Sequence, residues 1–333
     1  MLSGKIPAEG KFLWIDLKEK KGFLVVGTKK QQKKPRLDLS RDFRPPFWGM
    51  FGCDPEDSTY KESKVVVLPV PYEQTTSYKG NTKEGPKAII DASRFVETYD
   101  EELDYEVIKV GIHTLPEFEP DCSGPEATGK RLEKIAAKIA ADGKFLVSLG
   151  GEHSITPPLV AGILKTHKKL TVLQIDAHAD LRDEYEGTPN SHACAMRRCR
   201  DLGVSTFGFG IRSYSKEEAD YVKKTGRAFY TAKELKENPA LAEQFIDTIE
   251  GPVYVSIDID GFDPAYVPAT GTPEPGGLDW YEVRNILQMV ARRKDVVAFD
   301  VVELAPIGGL VAPDFLCAKL IYKFLGFVFY PNV

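Results

Sequence analysis

From residue 64 onwards, short apolar runs alternate with longer stretches whose apolar positions recur every three or four residues. The runs are rich in β-branched residues and too short for helices, so they predict strands. Eight such runs occur, at residues 64–71, 106–112, 144–150, 170–176, 204–210, 228–230, 253–260 and 296–304. Because they are continuously apolar, both faces of the sheet should be covered, which is typical of parallel strands. The pattern predicts a three-layer α/β/α sandwich around an eight-stranded, mainly parallel sheet.

The stretches between the runs predict amphipathic helices. Residues 124–143 carry apolar positions at helical spacing and end in glycine. Ser215 is followed three residues later by Glu218, which is the arrangement of a capping box. Residues 278–293 carry an acidic residue, Asp279, next to their start and end with two arginines, which suits the helix dipole.

The first sixty residues follow a different pattern. The segments KFLWIDL and GFLVVGT flank KEKKG and predict a hairpin, and the basic segment KKQQKKPR after it is interpreted as a solvated connector. FRPPFWGMFG then contains two prolines and cannot form a regular helix. It packs either on its own domain or on a neighbouring subunit. The chain is therefore divided into an N-terminal extension, 1–60, and one α/β domain, 61–333.

Composition and charge exclude several classes of function. The formal net charge is −5 and no domain is basic, so we expect no nucleic-acid partner. No charge-free apolar run is long enough to span a membrane, and the N-terminus lacks a signal-peptide core. The five cysteines are scattered and odd in number, which argues against a disulfide framework and favours the cytoplasm.

Three chemically unusual residues follow the apolar run that ends at Ile175. Asp176, His178 and Asp180 occupy every second position, and side chains at that spacing share one face of an extended segment. Ligands of open parallel sheets bind beyond the carboxyl ends of the strands, which is where these residues should lie. A single such residue would be interpreted as a cap or turn residue.

The same pattern recurs at other predicted strand ends. Glu152 and His153 follow one run, Asp258 and Asp260 end another, and Glu303 lies at the end of a third. Together, four aspartates and two histidines suit two divalent ions, and their many oxygens favour Mn²⁺ over Zn²⁺. Carboxylates this close together cannot all stay ionised without cations. Two ions about 3.5–4 Å apart lower the pKa of bound water and so supply a nucleophile.

Four segments resemble the motifs of the ureohydrolase family, which includes arginases, agmatinases and guanidinobutyrases. They are GGEHSIT, DAHADLRDEYEGTPNSHA, SIDIDGFDPAYVPATGTPEPGGL and DVVELAP, in family order and spacing over roughly residues 64–326. The resemblance implies the arginase-type fold and two Mn²⁺ ions per chain, with Ni²⁺ or Co²⁺ as alternatives. It also implies a homo-trimer or homo-hexamer.

The resemblance also implies a role for each candidate residue. One ion would be held by His153, Asp176, Asp180 and Asp258, and the other by Asp176, His178, Asp258 and Asp260, so that Asp176 and Asp258 bridge. His192 corresponds to the proton shuttle, Glu303 to the carboxylate that receives the guanidinium group, and Thr272 to a residue of the guanidinium pocket. The catalytic residues would be Asp180, His192 and Glu303. The substrate would be bound by Glu303, Thr272 and His192.

The substrate expected from this resemblance is a small cationic guanidino compound, with agmatine first. Arg182 stands where arginases carry asparagine, and the acidic residues Asp183, Glu184 and Glu186 suit an ammonium group unless they are simply solvated. If Arg182 faces the pocket, 4-guanidinobutyrate becomes the rival, and guanidine and arginine remain further alternatives. Outside this class, a single-zinc deacetylase and a non-catalytic binding protein are the alternatives. A single-zinc deacetylase would not need several of these carboxylates. A non-catalytic binding protein would lack part of the ligand set.

Overall fold

The computed structural model describes residues 49–53 and 58–330, and its centre is one eight-stranded sheet. Its strands are β1 Val65–Val70, β4 Ile112–Thr114, β5 Phe145–Gly150, β6 Thr171–Ile175, β7 Ser205–Ile211, β8 Phe229–Thr231, β9 Val253–Asp258 and β10 Val296–Val302. Across the sheet they run β4-β1-β5-β10-β9-β6-β7-β8, and every neighbouring pair is parallel. A separate antiparallel pair joins β2, Tyr99–Asp100, to β3, Tyr105–Glu106. The predicted fold class is confirmed.

Helices cover both faces of the sheet. The α-helices of the described residues are Gly85–Ser93, Pro125–Ala141, Thr156–Ile163, Ala195–Asp201, Lys216–Thr225, Ala232–Glu237, Ala240–Thr248, Trp280–Arg293 and Ala312–Phe329. Successive residues of β1 enter two different apolar cores, with Val65 and Val67 in one and Val66 and Leu68 in the other. Both cores are buried, so the strand needs apolar residues at every position.

The predicted helix ends agree with the structure. The helix Pro125–Ala141 lies within the periodic stretch 124–143. Ser215 caps the helix Lys216–Thr225 with both hydrogen bonds of the box to Glu218, and Asp279 caps Trp280–Arg293 in the same way. These caps satisfy backbone N–H groups that would otherwise lack partners at the first turn.

The prediction of a strand over 106–112 is wrong in its bounds. Residues Val107–Val110 form a 3-10 helix, and the strand of the central sheet begins at Ile112. Val107 and Val110 are buried three residues apart, and three residues make one turn of a 3-10 helix. Gly111, with φ of 79°, then turns the chain into the strand.

Only the end of the N-terminal extension lies within the described residues. The predicted hairpin and the basic connector lie outside them. Met50 and Phe51 are buried in the core, where the ring of Phe51 meets that of Tyr322 at 4.8 Å. The backbone N–H groups of Met50 and Phe51 donate to Thr114 Oγ1 and Ser93 Oγ. The described end of FRPPFWGMFG therefore packs on its own domain.

A search of the described helices finds none that combines the length and the apolar character needed to cross a bilayer.

Candidate metal centre

The candidate ligands lie at the carboxyl ends of four adjacent strands in the middle of the sheet. In order across the sheet these strands are β5, β10, β9 and β6. His153 follows β5, Glu303 follows β10, Asp258 ends β9, and Asp176 follows β6. Residues up to 150 positions apart in the chain thus become neighbours, as in the hydrogen bond from His153 N–H to Glu303 Oε1.

One group of potential ligands surrounds the imidazole of His153. Its Nδ1 lies 3.0 Å from Asp180 Oδ2, 3.2 Å from Asp176 Oδ2 and 3.4 Å from Asp258 Oδ2. All four side chains are buried. These are the four residues that the family resemblance assigns to the first ion.

A second group surrounds His178. Its Nδ1 lies 2.9 Å from Asp260 Oδ2 and 3.6 Å from Asp176 Oδ1. Asp176 therefore presents one carboxylate oxygen to each histidine, which is the arrangement that a bridging ligand requires. Asp258 directs Oδ2 at His153, and its other oxygen, Oδ1, accepts the backbone N–H of Asp260 at 2.9 Å.

The hydrogen bonds of His153 test whether this cluster fits a cation. Its Nε2 lies 2.8 Å from Ser256 Oγ, and that hydroxyl donates to Asp300 Oδ1 at 2.7 Å. Because the only hydroxyl hydrogen of Ser256 goes to Asp300, Ser256 accepts from Nε2–H. The lone pair of Nδ1 is then directed at three carboxylates, and Nδ1 is buried without a hydrogen-bond partner in the described structure. This donor set fits a divalent ion.

The electrostatics of the cluster also favour a bound cation. Burial and the charge of Asp176 raise the pKa of Asp180 to about 7. Burial, with the charges of Asp260 and Asp176, raises the pKa of Asp258 well above its usual range. Although burial opposes it, the surrounding aspartates raise the pKa of His153 well above 6.5. Without cations the cluster therefore holds protons, and bound metal ions would take their place.

The backbone around the site is strained in places. Asp180 and Glu303 have φ of 51° and 66° and belong to the few described residues other than glycine with positive φ. Gly151 leaves no space for a side chain, because a Cβ there would lie 2.0 Å from Tyr72 O. Its carbonyl accepts the N–H of Glu303 at 2.7 Å, and this hydrogen bond links the ends of β5 and β10.

A narrow inner cavity of about 330 Å³ opens above the cluster. The predicted substrate residues Glu303, Thr272 and His192 all line it, together with His153, His178, Asp180, Asp258 and Asp260. Glu303 is buried, and its own burial together with the charge of Glu152 raises its pKa well above 4.5. A cation bound beside Glu303 would favour its ionised form.

His192 is held by a residue that the sequence analysis did not single out. Thr75 Oγ1 donates to Glu152 Oε1 at 2.6 Å, so it accepts from the backbone N–H of His192 at 3.0 Å. The same oxygen lies 3.3 Å from His192 Nδ1, which favours the Nδ1–H tautomer and leaves Nε2 as the free base. Burial lowers the pKa of His192, which favours the neutral ring.

An outer cavity of about 800 Å³ adjoins the inner one, and Ser77, His178, Asp180, His192 and Thr272 line both. Arg182 lines the outer cavity, with its guanidinium group 4.7 Å from the ring centre of Tyr185 and 4.0 Å from Glu218.

The predicted acidic loop does not reach this cavity. Asp183 is exposed and pairs with Arg198 at 2.7 Å, and none of Asp183, Glu184 and Glu186 lines either cavity. Their positions agree with the alternative interpretation, in which these residues are solvated loop charges.

Several residues of the site have no role in the sequence-based prediction. Glu152 follows a predicted strand, and the structure shows that its buried carboxylate accepts four hydrogen bonds. They come from the N–H groups of Gln74 and Thr75 and the hydroxyls of Thr75 and Ser154. Asp300 and Ser256 interrupt apolar strands, and a polar residue within a continuously apolar run was the available signal.

Comparison with known proteins identifies the family to which this chain belongs. The family model described as "Arginase family" matches residues 63–326. The N(1)-aminopropylagmatine ureohydrolase of Synechocystis sp. is 40% identical over an alignment that covers 81% of this chain and 90% of the relative. The agmatinase of Pyrococcus horikoshii is 34% identical, with 80% and 92% covered.

Solved structures agree. The agmatine ureohydrolase of Thermoplasma volcanium superposes with a TM-score of 0.75 at 32% identity, covering 82% of this chain and 92% of that one. The proclavaminate amidino hydrolase of Streptomyces clavuligerus shares the fold, with a TM-score of 0.79 at 24% identity and 86% and 99% covered.

Proposed function

This chain belongs to the arginase family and is a ureohydrolase, and we propose that its substrate is an agmatine-type amine, either agmatine or its N1-aminopropyl derivative. The reaction adds water across the guanidino carbon and releases urea and a primary amine. The observation that carries the proposal is the inner cavity, in which the buried carboxylate of Glu303 lies beside two groups of metal-binding side chains. The names of the relatives support the choice of an amine substrate.

Glu303 orients the guanidino group in this proposal. Its Oε1 accepts the N–H of His153, so the carboxylate is fixed relative to a metal-ligand candidate. Its Oε2 accepts no hydrogen bond from the described residues and is available to a guanidinium N–H. A charge-assisted bond of this kind aligns a planar cation and holds its carbon in one place over the cluster. Thr272 lines the same cavity.

His192 moves the proton. Its Nε2 is the unprotonated nitrogen of the tautomer that Thr75 selects, so it receives a proton during attack and delivers it to the leaving nitrogen. Glu152, through Thr75, keeps the ring in this orientation. The neutral amine then leaves, and its protonation in water makes the step favourable.

The metal ions proposed here are two Mn²⁺, held by the two groups around His153 and His178. When bound, such a pair lowers the pKa of water and stabilises developing negative charge. The mixed oxygen and nitrogen donors also accept Ni²⁺ or Co²⁺. The two groups share Asp176, which supports a pair of ions over the single zinc of a deacetylase.

The experiment that tests the function is a urea-release assay on metal-depleted protein reloaded separately with Mn²⁺, Co²⁺, Ni²⁺ or Zn²⁺. We expect release from agmatine or N1-aminopropylagmatine, with Mn²⁺ most effective and two ions per chain. Arginine and guanidine should react at least tenfold more slowly. Full activity after exhaustive chelation, or no urea from either amine with any metal, would refute the proposal.

4-Guanidinobutyrate is the runner-up substrate because Arg182 lines the outer cavity. Its guanidinium group stacks on Tyr185 and lies near Glu218, so it already has partners. The same assay includes this compound, and a higher kcat/KM than for both amines would favour it.

The proposal also includes an oligomeric state and a location in the cell. A homo-trimer or homo-hexamer follows from the family resemblance, and light scattering at several concentrations tests it. A cytoplasmic location is supported by the five cysteines, which are all free thiols. No nucleic-acid partner is proposed.

A further inference from the structure

We propose that Glu274 binds the terminal ammonium group of an aminopropyl tail and so makes the N1-aminopropyl derivative a better substrate than agmatine. This inference rests on the proposed function, because it concerns the part of the substrate that lies outside the inner cavity. Thr272 lines both cavities, whereas Glu274, two residues further along, lines only the outer one. A substrate held at Glu303 in the inner cavity therefore reaches Glu274 only by extending into the outer cavity.

The other charged side chains of the outer cavity already have partners. Glu218 Oε1 accepts the N–H of Leu181 at 2.9 Å, and its Oε2 accepts the N–H of Ser215 at 2.7 Å. Arg182 lies 4.0 Å from the same carboxylate and stacks on Tyr185. Asp180 and His178 belong to the metal-ligand groups.

The carboxylate of Glu274 has no hydrogen bond or ion pair with any described residue. Arg212 attracts this carboxylate through space, without a direct ion pair. All three nitrogens of that guanidinium group donate to backbone carbonyls, including Glu274 O at 2.7 Å and Asp260 O at 2.7 Å. Glu274 is therefore the carboxylate of this cavity that remains available for a ligand cation.

The backbone of Glu274 is fixed from two sides. Arg212 binds the carbonyls of Glu274 and Pro275, and Asp263 Oδ2 accepts the N–H groups of Gly276 at 2.8 Å and Gly277 at 2.9 Å. A Cβ on Gly277 would lie 2.5 Å from the backbone of Phe262, so this loop is packed directly on its support. A carboxylate on a fixed backbone binds a cation at a lower entropic cost than one on a mobile loop.

The rest of the outer lining suits an alkylammonium chain. Tyr214, 45% exposed, contributes an aromatic ring, and such a face attracts ammonium groups and covers methylene groups, whereas Arg182 already stacks on Tyr185. The outer cavity, at about 800 Å³, is larger than the inner one at about 330 Å³. In agmatine, a four-carbon chain joins the guanidino group to one ammonium group. The aminopropyl derivative continues from that nitrogen with a three-carbon arm that ends in a second ammonium group.

The test compares Glu274→Gln with the parent enzyme and with Glu237→Gln, in the manganese-loaded protein. Glu237 is an exposed glutamate at the end of the helix Ala232–Glu237, outside both cavities. We expect Glu274→Gln to lower kcat/KM for N1-aminopropylagmatine about tenfold, mainly through KM, and that for agmatine less than twofold. Glu237→Gln should change neither value. Equal losses for both substrates, or no loss, would overturn the assignment.

A binding experiment separates this inference from the proposed function. Spermidine, which hydrolysis of N1-aminopropylagmatine would release, carries the same aminopropyl arm, and its affinity is measured by calorimetry without turnover. We expect Glu274→Gln to weaken spermidine binding about tenfold and to leave putrescine binding unchanged. Absence of urea from the parent enzyme would refute the proposed function alone if this binding difference is found. Equal spermidine affinities in parent and variant would refute the role of Glu274.

Discussion

The metal-ligand cluster and the outer cavity share His178 and Asp180 but otherwise come from different parts of the chain. The cluster lies on the ends of four central strands, and Asp176, Asp258 and Asp260 are at most 3% exposed. The rest of the outer cavity is lined mostly by loops, and Tyr214 in its wall is 45% exposed. Strand ends fix side chains with the stability of the whole sheet, whereas loops can change without disturbing it. Reaction chemistry therefore belongs to the cluster, and substrate choice to the outer cavity.

The largest expected effect follows from removing the shared ligand. Asp176→Asn replaces the carboxylate that faces both histidines, with Oδ2 towards His153 and Oδ1 towards His178. We expect less than about one ion per chain and activity below about 0.1% of the parent, because stabilisation by both ions is lost. Elemental analysis and urea release measure the two effects.

Asp220→Asn, on an exposed helix, is the control for Asp176→Asn and should keep both ions. A variant at Asp176 that retained two ions and full activity would refute its role as the shared ligand.

A smaller effect is expected where the two cavities meet, at His192. His192→Ala removes a general acid and base but no metal-ligand candidate, so kcat should fall about 10²–10⁴-fold with metal content unchanged. His167→Ala, outside both cavities, should leave kcat unchanged. Loss of metal from His192→Ala would mean that this residue belongs to the cluster.

The support behind the cluster predicts a further, smaller effect. Ser256→Ala removes the hydroxyl between His153 Nε2 and Asp300, which holds the imidazole in its metal-binding tautomer. Metal affinity should fall about 10–100-fold, as measured by competition with a chelator.

Ser148→Ala is the matched control for Ser256→Ala, because Ser148 is equally buried and its hydroxyl has no partner among the described residues. Equal affinities in the two variants would contradict the role of Ser256 and confine the metal-binding determinants to the direct ligands.

The same difference between the two regions explains what the sequence could predict. Period and spacing along the chain predicted the strands and the ligands that follow them, because each ligand is adjacent in sequence to an apolar run. The link from Glu152 through Thr75 to His192 spans 77 and 117 positions and leaves no local pattern. The same holds for Glu274, whose role depends on which neighbouring charges already have partners. The acidic composition of the loop at 183–186 suits an ammonium group, but composition does not show where a side chain points.

The smallest expected effect concerns that loop. Asp183→Asn removes a carboxylate that pairs with Arg198 at 2.7 Å and Arg197 at 3.4 Å, is 63% exposed and lies outside both cavities. Exposed ion pairs contribute about 0–1 kcal/mol, so thermal stability should change little. We expect kcat/KM for both amines to stay within about twofold of the parent, measured beside Glu274→Gln under the same conditions. A selective loss for one amine would show that the loop closes over the bound substrate and that the outer cavity extends further than its present lining.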